Sequence, residues 1–274
     1  MSERARARLL VLDTRAVRGA RRVTAAAWTV CATAVLVASA CAPPTGEALG
    51  GRPAARWTMD ERAGATVMVD VSGSGSDGVI GSAVAVGDGT YRFPGWTANV
   101  DAAGRLIGRV AVTSGAVSVP DPWGALEPGR GSFVVSVRLR SALTSSGRLP
   151  SAPAASFNVV QKGRADQAGG FWKLELSGDG SSTGRLRWVI SDGSRSAVVT
   201  SAVRVDDGQW HTVVAQRRDD RALLTVDGVS ASVPAGGVGD VAPGGVPVTV
   251  GKKPGSTDPR DAFAGWLDDL TVSS

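Results

Sequence analysis

After residue 56 the chain is a series of short apolar runs separated by turn residues. In 132–139, apolar side chains occupy every second position from Phe133 to Leu139, and the positions between them are mostly polar. A period of two predicts a strand with one buried face and one solvated face. Similar runs predict strands at 66–71, 132–139, 157–161, 171–176, 186–190, 197–201, 210–217, 222–226, 229–233, 247–250 and 263–272.

The turns between these runs indicate antiparallel pairing. Asp227-Gly228 is a dipeptide that two-residue β-hairpins prefer, and the charged run 217–221 fits a solvated hairpin tip. In the last run the alternation breaks at 267–270, which predicts a β-bulge. No segment after Ala40 has a helix-length period of 3.6 residues. The pattern therefore predicts an all-β protein, an antiparallel β-sandwich or jelly roll.

The first 56 residues have a different composition. Residues 1–40 hold seven arginines against two acidic residues, and 23–40 is an uncharged run of 18 residues. A basic stretch followed by a weakly apolar run and small residues is typical of an export signal. Residues 41–56 are rich in Pro, Gly and Ala, which is typical of a flexible tether. We therefore predict an export signal at 1–40, a tether at 41–56 and one β-domain at 57–274.

The end of the predicted export signal offers three outcomes. The stretch VASAC, which ends at Cys41, resembles the lipobox of bacterial lipoproteins, in which Cys41 would be the lipidated first residue. Cleavage without lipidation and an uncleaved anchor are the alternatives. All three place 57–274 outside the cytoplasm, as a membrane-anchored lipoprotein or as a secreted protein.

The formal net charge of +5 does not point to a nucleic-acid partner. After residue 40 the chain has 23 basic and 23 acidic residues, so the basic excess lies in the leader and not in the predicted domain. Both cysteines, Cys31 and Cys41, also precede the domain, which therefore contains no disulfide.

Several segments together resemble the laminin-G-like domains of the concanavalin A-like lectin/glucanase superfamily. They are MDERAGATVMVDVSGSGSDGVIG at 59–81, DDGQWHTVVAQRRDDRALLTVDG at 206–228, FAGWLDDLTV at 263–272 and, as the central hairpin, KGRADQAGGFWKLEL at 162–176. The resemblance implies a sandwich of two curved antiparallel sheets with adjacent N- and C-terminal strands. This fold is found in lectins, adhesion modules, enzymes and spacers, so it does not define a function.

Catalytic residues are not evident in the sequence. The motifs E-x-D-x-x-E and E-x-D-x-E, which pair carboxylates in glycoside hydrolases of this fold, are absent, although distant carboxylates could still meet in a cleft. The single histidine, His211, follows Trp210 in a predicted strand, and no G-x-S-x-G motif accompanies it. We interpret His211 as a structural residue and assign no catalytic residue.

A structural Ca²⁺ ion is one implication of the resemblance, since the superfamily often binds it. Asp70 and Asp77 lie in the opening loop, and Asp268 and Asp269 lie in the closing strand. Carboxylate oxygens are the ligands that Ca²⁺ prefers, and the two segments should lie close together. The alternative is that these aspartates form turns or are solvated.

Carbohydrate sites combine a flat aromatic side chain with polar groups. Trp96 and Trp123 lie in Pro- and Gly-containing loops and are the candidates for an exposed aromatic. Arg138, Lys173 and Arg187 lie on predicted solvated faces and could line a sheet surface for a polar or anionic glycan, with ordinary surface charge as the alternative. Core packing is predicted for Trp172, Trp188, Trp210 and Trp266.

These observations predict an exported, non-catalytic module that binds a carbohydrate or an extracellular or envelope protein. One alternative is a glycan-active hydrolase or lyase on the same fold. The other is a structural domain without a small ligand.

Overall fold

Strands are the main regular structure of the domain. The computed structural model describes residues 53–142, 156–178 and 182–274. In chain order the strands are β1 (Ala55–Trp57), β2 (Val67–Met68), β3 (Gly78–Ile80), β4 (Ala85–Gly87), β5 (Thr90–Pro94), β6 (Trp96–Val100), β7 (Leu106–Ala111), β8 (Val117–Val119), β9 (Phe133–Ser141), β10 (Ser156–Gly163), β11 (Phe171–Ser177), β12 (Arg185–Ser191), β13 (Ser196–Arg204), β14 (His211–Arg218), β15 (Arg221–Val226), β16 (Val229–Pro234), β17 (Val248–Val250) and β18 (Ala264–Ser273). A 3-10 turn at Pro259–Asp261 precedes β18, and no α-helix occurs in the three described segments.

The strands form two large antiparallel sheets. Sheet A has the order β16-β15-β14-β9-β18-β5-β4, with β1 also paired to β18, and sheet B has the order β13-β12-β11-β10-β17-β8-β3-β2. Strands β6 and β7 form a separate ribbon. The pairing of β1 with β18 runs from Ala55 opposite Val272 to Trp57 opposite Leu270. The first and last strands are therefore adjacent, as expected.

The two sheets pack around an apolar core that both supply. Along β9 every second side chain is buried, as the alternation predicts. The ring of Phe133 on β9 lies with its centroid 5.2 Å from that of Trp172 on β11 and 6.3 Å from that of Trp188 on β12. The indole N–H groups donate to the main-chain oxygens of Leu126 and Gln216, so neither buried donor is unpaired. The predicted all-β sandwich is confirmed.

Two local predictions are also confirmed. Asp227 and Gly228, at φ 50° and 80°, form the two-residue turn between β15 and β16, as primed hairpin turns require. The register of β18 against β9 shifts between Asp268 and Thr271, and Asp269 lies at φ 51°. The predicted bulge at 267–270 is therefore present.

The prediction of a fully solvated tip at 217–221 is wrong for Arg217, which is 5% exposed. Its guanidinium donates to the carbonyl oxygens of Gly129 (2.9 Å), Val238 (2.8 Å) and Gly239 (3.0 Å). Arg217 occupies an inward position of β14, and three main-chain acceptors take the place of water. Burial lowers the pKa of the Arg217 guanidinium from its ordinary value.

Strands between 72 and 131 were not predicted. Strands β3 to β8 are three to six residues long, and several contain or adjoin glycines, so none shows a sustained period. The predicted strand at 66–71 is reduced to β2, Val67–Met68. Ala55 and Arg56, assigned to the tether, belong to β1, and Ala55 is fully buried.

The predicted leader, Cys41 and most of the tether lie outside the described residues. In the part of the chain that the structure describes, no helix has the length and apolarity needed to cross a membrane.

Candidate functional site

The three basic residues predicted to line one sheet surface do not share a surface. Arg138 lies on β9 in sheet A, whereas Lys173 on β11 and Arg187 on β12 lie in sheet B. All three alternate with core residues and point outward, so they occupy opposite outer faces of the sandwich. The prediction of a shared surface is wrong because alternation shows which side chains are solvated, but it does not show which sheet a strand joins.

Lys173 and Arg187 surround one buried carboxylate. Glu175 is 1% exposed although it points away from the core. Its Oε2 lies 2.5 Å from Lys173 Nζ, and its Oε1 lies 3.4 Å from Arg187 Nη1. Both cations therefore neutralise Glu175, and these ion pairs give them a structural role on the outer face of sheet B.

An arginine–tryptophan row crosses the outer face of sheet A. In the strand registers Arg92 on β5, Trp266 on β18 and Arg140 on β9 are direct neighbours, and Trp210 precedes β14 beside them. The Arg140 Cζ lies 4.0 Å from the ring centroid of Trp266 and 5.6 Å from that of Trp210. The Arg92 Cζ also lies over the Trp266 ring, 5.4 Å from its centroid, which completes a cation–π row.

This row corrects the prediction that Trp210 and Trp266 are core residues. Both are half-buried and point outward. Arg138 extends the row, with its Cζ 5.3 Å from the Trp210 centroid and its Nη1 2.6 Å from Asp268 Oδ2. Arginines cover these rings, so the tryptophans are not bare platforms for a sugar.

The two candidate aromatics differ in exposure. Trp96 is not in a loop: it begins β6, is half-buried, and packs with its centroid 5.8 Å from that of Phe157. Trp123 lies in the loop between β8 and β9 and is 91% exposed. Only Trp123 is presented to solvent as predicted.

The candidate calcium ligands lie near one another but do not form a ligand set. The amide of Arg56 donates to Asp70 Oδ1 at 3.0 Å, while its guanidinium lies 3.1 Å from Asp269 Oδ1. Asp268 is paired with Arg138. Arg56 thus joins the opening loop to the closing strand. No group of three or more His, Cys, Asp or Glu residues suited to a metal occurs within the described segments.

Asp70 instead organises the opening loop. Its two oxygens also accept the amides of Ser72, Ser74 and Ser76 and the hydroxyl of Ser74. Burial acts to raise the pKa of Asp70, but hydrogen bonds from Ser74, the Arg56 amide and Ser72 outweigh it and hold the pKa well below its usual range. N–H and O–H donors already surround this carboxylate, so a Ca²⁺ ion would have to displace some of them to reach its oxygens. Structural calcium stays a prediction.

His211 is held between two carboxylates. Its Nδ1 lies 2.6 Å from Asp227 Oδ2 and its Nε2 lies 2.9 Å from Asp207 Oδ1. Burial acts to lower the pKa of His211, but hydrogen bonds and charges of Asp227 and Asp207 outweigh it, so the pKa lies above its ordinary value. Both ring nitrogens are occupied, and neither is free to take a proton from a substrate. The interpretation of His211 as structural agrees with this geometry.

A cleft of about 380 Å³ lies on the outer face of sheet B, between β3, β8 and β17 on one side and the loop 252–257 on the other. Its described lining comprises Val79, Gly81, Thr113, Ser114, Ala116, Ser118, Thr249, Lys252, Lys253, Pro254, Gly255, Ser256 and Thr257. Six of these residues carry hydroxyl groups, two are lysines, and none is an aspartate or glutamate.

Lys252 is the unusual member of this lining. It is 7% exposed, and its Nζ donates to the carbonyl oxygens of Val112 at 3.3 Å and Thr113 at 2.9 Å. No carboxylate within the described segments forms an ion pair with it. Burial lowers the pKa of the Lys252 ammonium. A buried cation without a counter-charge is unfavourable unless a ligand supplies one.

Sequence reasoning missed this cleft. The sequence feature that could have indicated the cleft is the stretch KKPGST at 252–257, in which two lysines are followed by turn and hydroxyl residues. The opposite wall comes from strands β3 and β8, which were not predicted, so nothing in the pattern placed that stretch against a sheet.

The sheet order and the adjacent terminal strands define a laminin-G-like jelly-roll sandwich. Residues 147–274 match the family model of the concanavalin A-like lectin/glucanases superfamily. The resemblance seen in the sequence is confirmed.

Three solved structures share the fold. They are the binding domain of Paraclostridial Mosquitocidal Protein 1 (TM-score 0.55, 13% identity, 75% of this chain and 46% of that chain), the botulinum neurotoxin serotype G binding domain (0.57, 11%, 80% and 47%), and the binding domain of botulinum neurotoxin DC in complex with SialylT (0.54, 10%, 81% and 48%). The chain spans less than half the length of each. No curated protein matches the sequence.

Proposed function

We propose that this protein is an exported, non-catalytic binding module and that the Lys252 cleft takes a carbohydrate bearing an anionic group. The observation that carries the proposal is the Lys252 ammonium, which is buried at the cleft with carbonyl partners but no carboxylate. A carboxylate or sulfate on the ligand supplies the missing counter-charge through a charge-assisted hydrogen bond.

The rest of the lining supports a sugar ligand. Ser118 and Thr249 lie side by side on neighbouring strands of sheet B. The Ser118 hydroxyl offers a donor and an acceptor, and Thr249 Oγ1, which donates to the Gln161 carbonyl oxygen at 3.4 Å, offers an acceptor. Val79, which is 61% exposed, offers an apolar surface beside them. That the three toxin structures are binding domains favours the same broad role for this fold.

A binding role is favoured over hydrolysis at this cleft. Glycoside hydrolysis needs an acid and a second carboxylate on either side of the scissile bond, and the described lining supplies neither. The basic leader and the VASAC stretch support export, and lipidation of Cys41 remains part of the proposal. An extracellular protein that bears the same glycan is an equally suitable partner.

The test compares matched pairs of oligosaccharides that differ only in a carboxylate or sulfate, using calorimetry on the full-length chain. We expect binding of the acidic member, weakened by salt, and little binding of the neutral one. Lys252→Met is expected to weaken binding at least about tenfold, since a hydrogen bond to a charged group contributes about 1.5–3 kcal/mol.

Arg92→Met, on the opposite face of the sandwich, serves as the control and is expected to bind like the wild type. Equal binding of acidic and neutral sugars would contradict the role of Lys252. Shortening of any tested polysaccharide would instead favour the hydrolase or lyase alternative.

A further inference from the structure

The loop between β8 and β9 exposes the indole of Trp123 to solvent. Trp123 is 91% exposed, whereas the other exposed large apolar side chains in the described segments do not exceed 61%. Leaving so large an apolar surface in solvent is unfavourable. An exposed tryptophan on a loop therefore indicates contact with another surface when the loop is rigid.

The turn that carries Trp123 is rigid. Pro122 precedes the indole, and the amide of Gly124, at φ 70°, donates to the Asp121 carbonyl oxygen at 3.3 Å. Proline and glycine at these positions suit a tight turn. The Asp121 carboxylate also accepts the amides of Ala125 at 2.8 Å and Leu126 at 3.0 Å. The tip is thus closed by its own hydrogen bonds.

The base of the turn is fixed in the protein interior. Lys162 is 0% exposed, and its Nζ lies 2.6 Å from Asp121 Oδ2 and 3.1 Å from Glu127 Oε1. Leu126 is fully buried, and its carbonyl oxygen accepts the indole N–H of Trp172 at 3.1 Å. Trp123 therefore cannot fold back onto the domain without disrupting these contacts.

The turn lies at the end of the sandwich where the chain enters it. Ala55 of β1 pairs with Val272, which pairs with Val135 on β9, and Ser273 pairs with Val134. The Trp123 loop leads directly into the same end of β9. Thirteen residues, 42–54, separate Cys41 from β1, a length of at most about 45 Å when extended. A membrane attachment through the leader or Cys41 would thus connect to the domain through β1, at the end of the sandwich that carries Trp123.

We propose that Trp123 inserts into the interfacial region of a lipid bilayer. Tryptophan favours this region because its ring is apolar and its N–H is polar. A glycan in the Lys252 cleft does not explain Trp123, because Trp123 is not among the residues that line the cleft. A stable protein interface needs a far larger contact area than one side chain supplies.

The test uses the full-length chain reconstituted in vesicles of phosphatidylethanolamine and phosphatidylglycerol with brominated acyl chains. Bromine quenches only tryptophans in contact with the bilayer. We expect Trp123→Phe to lose part of the bromine-quenched emission. The matched control, Trp96→Phe, removes a tryptophan at the core boundary and is expected to keep the wild-type quenched emission. Leader Trp28 is common to all three proteins and cancels in the comparison.

Thermal melts of both variants verify that each is folded. The same quenched emission in wild type and Trp123→Phe overturns the proposal. A blue shift of the Trp123 emission in the absence of lipid also overturns it. If the shift follows addition of a glycan, the indole contacts a sugar, and if it follows an increase in protein concentration, the indole contacts a second copy of the chain.

Discussion

Lys162→Met tests whether a buried ion cluster stabilises the Trp123 loop. The substitution keeps the length of the side chain but removes its charge. It leaves the carboxylates of Asp121 and Glu127, whose side chains are 4% and 11% exposed, without their shared cation. The Gly244 carbonyl oxygen, 2.9 Å from Nζ, also loses its donor.

The magnitude follows from what remains around those carboxylates. Removing one partner of a buried ion pair costs about 3–5 kcal/mol. Asp121 keeps two amide donors, from Ala125 and Leu126, so the lower end applies and we expect a loss of about 3 kcal/mol in the free energy of unfolding. In a domain of this size the melting temperature then falls by about 6–12 °C.

Denaturant unfolding of the full-length chain, followed by circular dichroism, measures this loss. The control is Lys253→Met, because Lys253 Nζ lies 3.6 Å from Asp261 Oδ2 and its side chain is 38% exposed. A surface pair of this kind contributes less than about 1 kcal/mol. If the two variants lose the same small amount, the cluster does not stabilise the loop and the reasoning is wrong.

Three further variants probe other parts of the domain. The pKa of His211 is raised in the folded protein. The stability that His211 contributes is therefore complete below the unfolded pKa of about 6.5 and is lost as pH rises through the folded pKa. In melts recorded across this pH range, His211→Gln should remove the decrease in melting temperature at higher pH and leave binding unchanged. Asp70→Asn places an amide against the donors of its loop and should cost about 2 kcal/mol in denaturant unfolding, whereas an unchanged midpoint would contradict the assigned role. Arg140→Ala uncovers Trp266 and should cost about 1 kcal/mol and red-shift tryptophan emission, and an unshifted spectrum would show that the stacking is absent.

Long, regularly alternating strands could be predicted from the sequence. In β9 the apolar positions from Phe133 onward are also the buried positions, because the period of two directly reflects the two faces of a strand. Asp227-Gly228 and the break at Asp268 likewise encode a turn and a bulge in local residue chemistry. These features depend on neighbouring residues, which a single sequence records.

The position of outward-facing side chains could not be predicted in the same way. Trp210 and Trp266 alternate with apolar residues but lie on the outer face, where Arg140 covers them from a neighbouring strand. Apolar character alone favoured burial in the core. The pairing that brings these residues together joins segments far apart in the chain, and no local pattern specifies it.

The exposure of Trp123 depends on a register shift in another strand. The pairing of β10 with β11 shifts between Asn158 and Val160, so Val160 and Lys162 oppose Leu174 and Trp172 and face the interior. Only an inward Lys162 can reach Asp121, whose carboxylate closes the Trp123 turn. The residues around the shift, NVV, include no glycine or proline that marks a bulge. A substitution that restored regular pairing in β10 would turn Lys162 outward and leave Asp121 without its cation, and the rigid presentation of Trp123 would be lost although the loop sequence itself is unchanged.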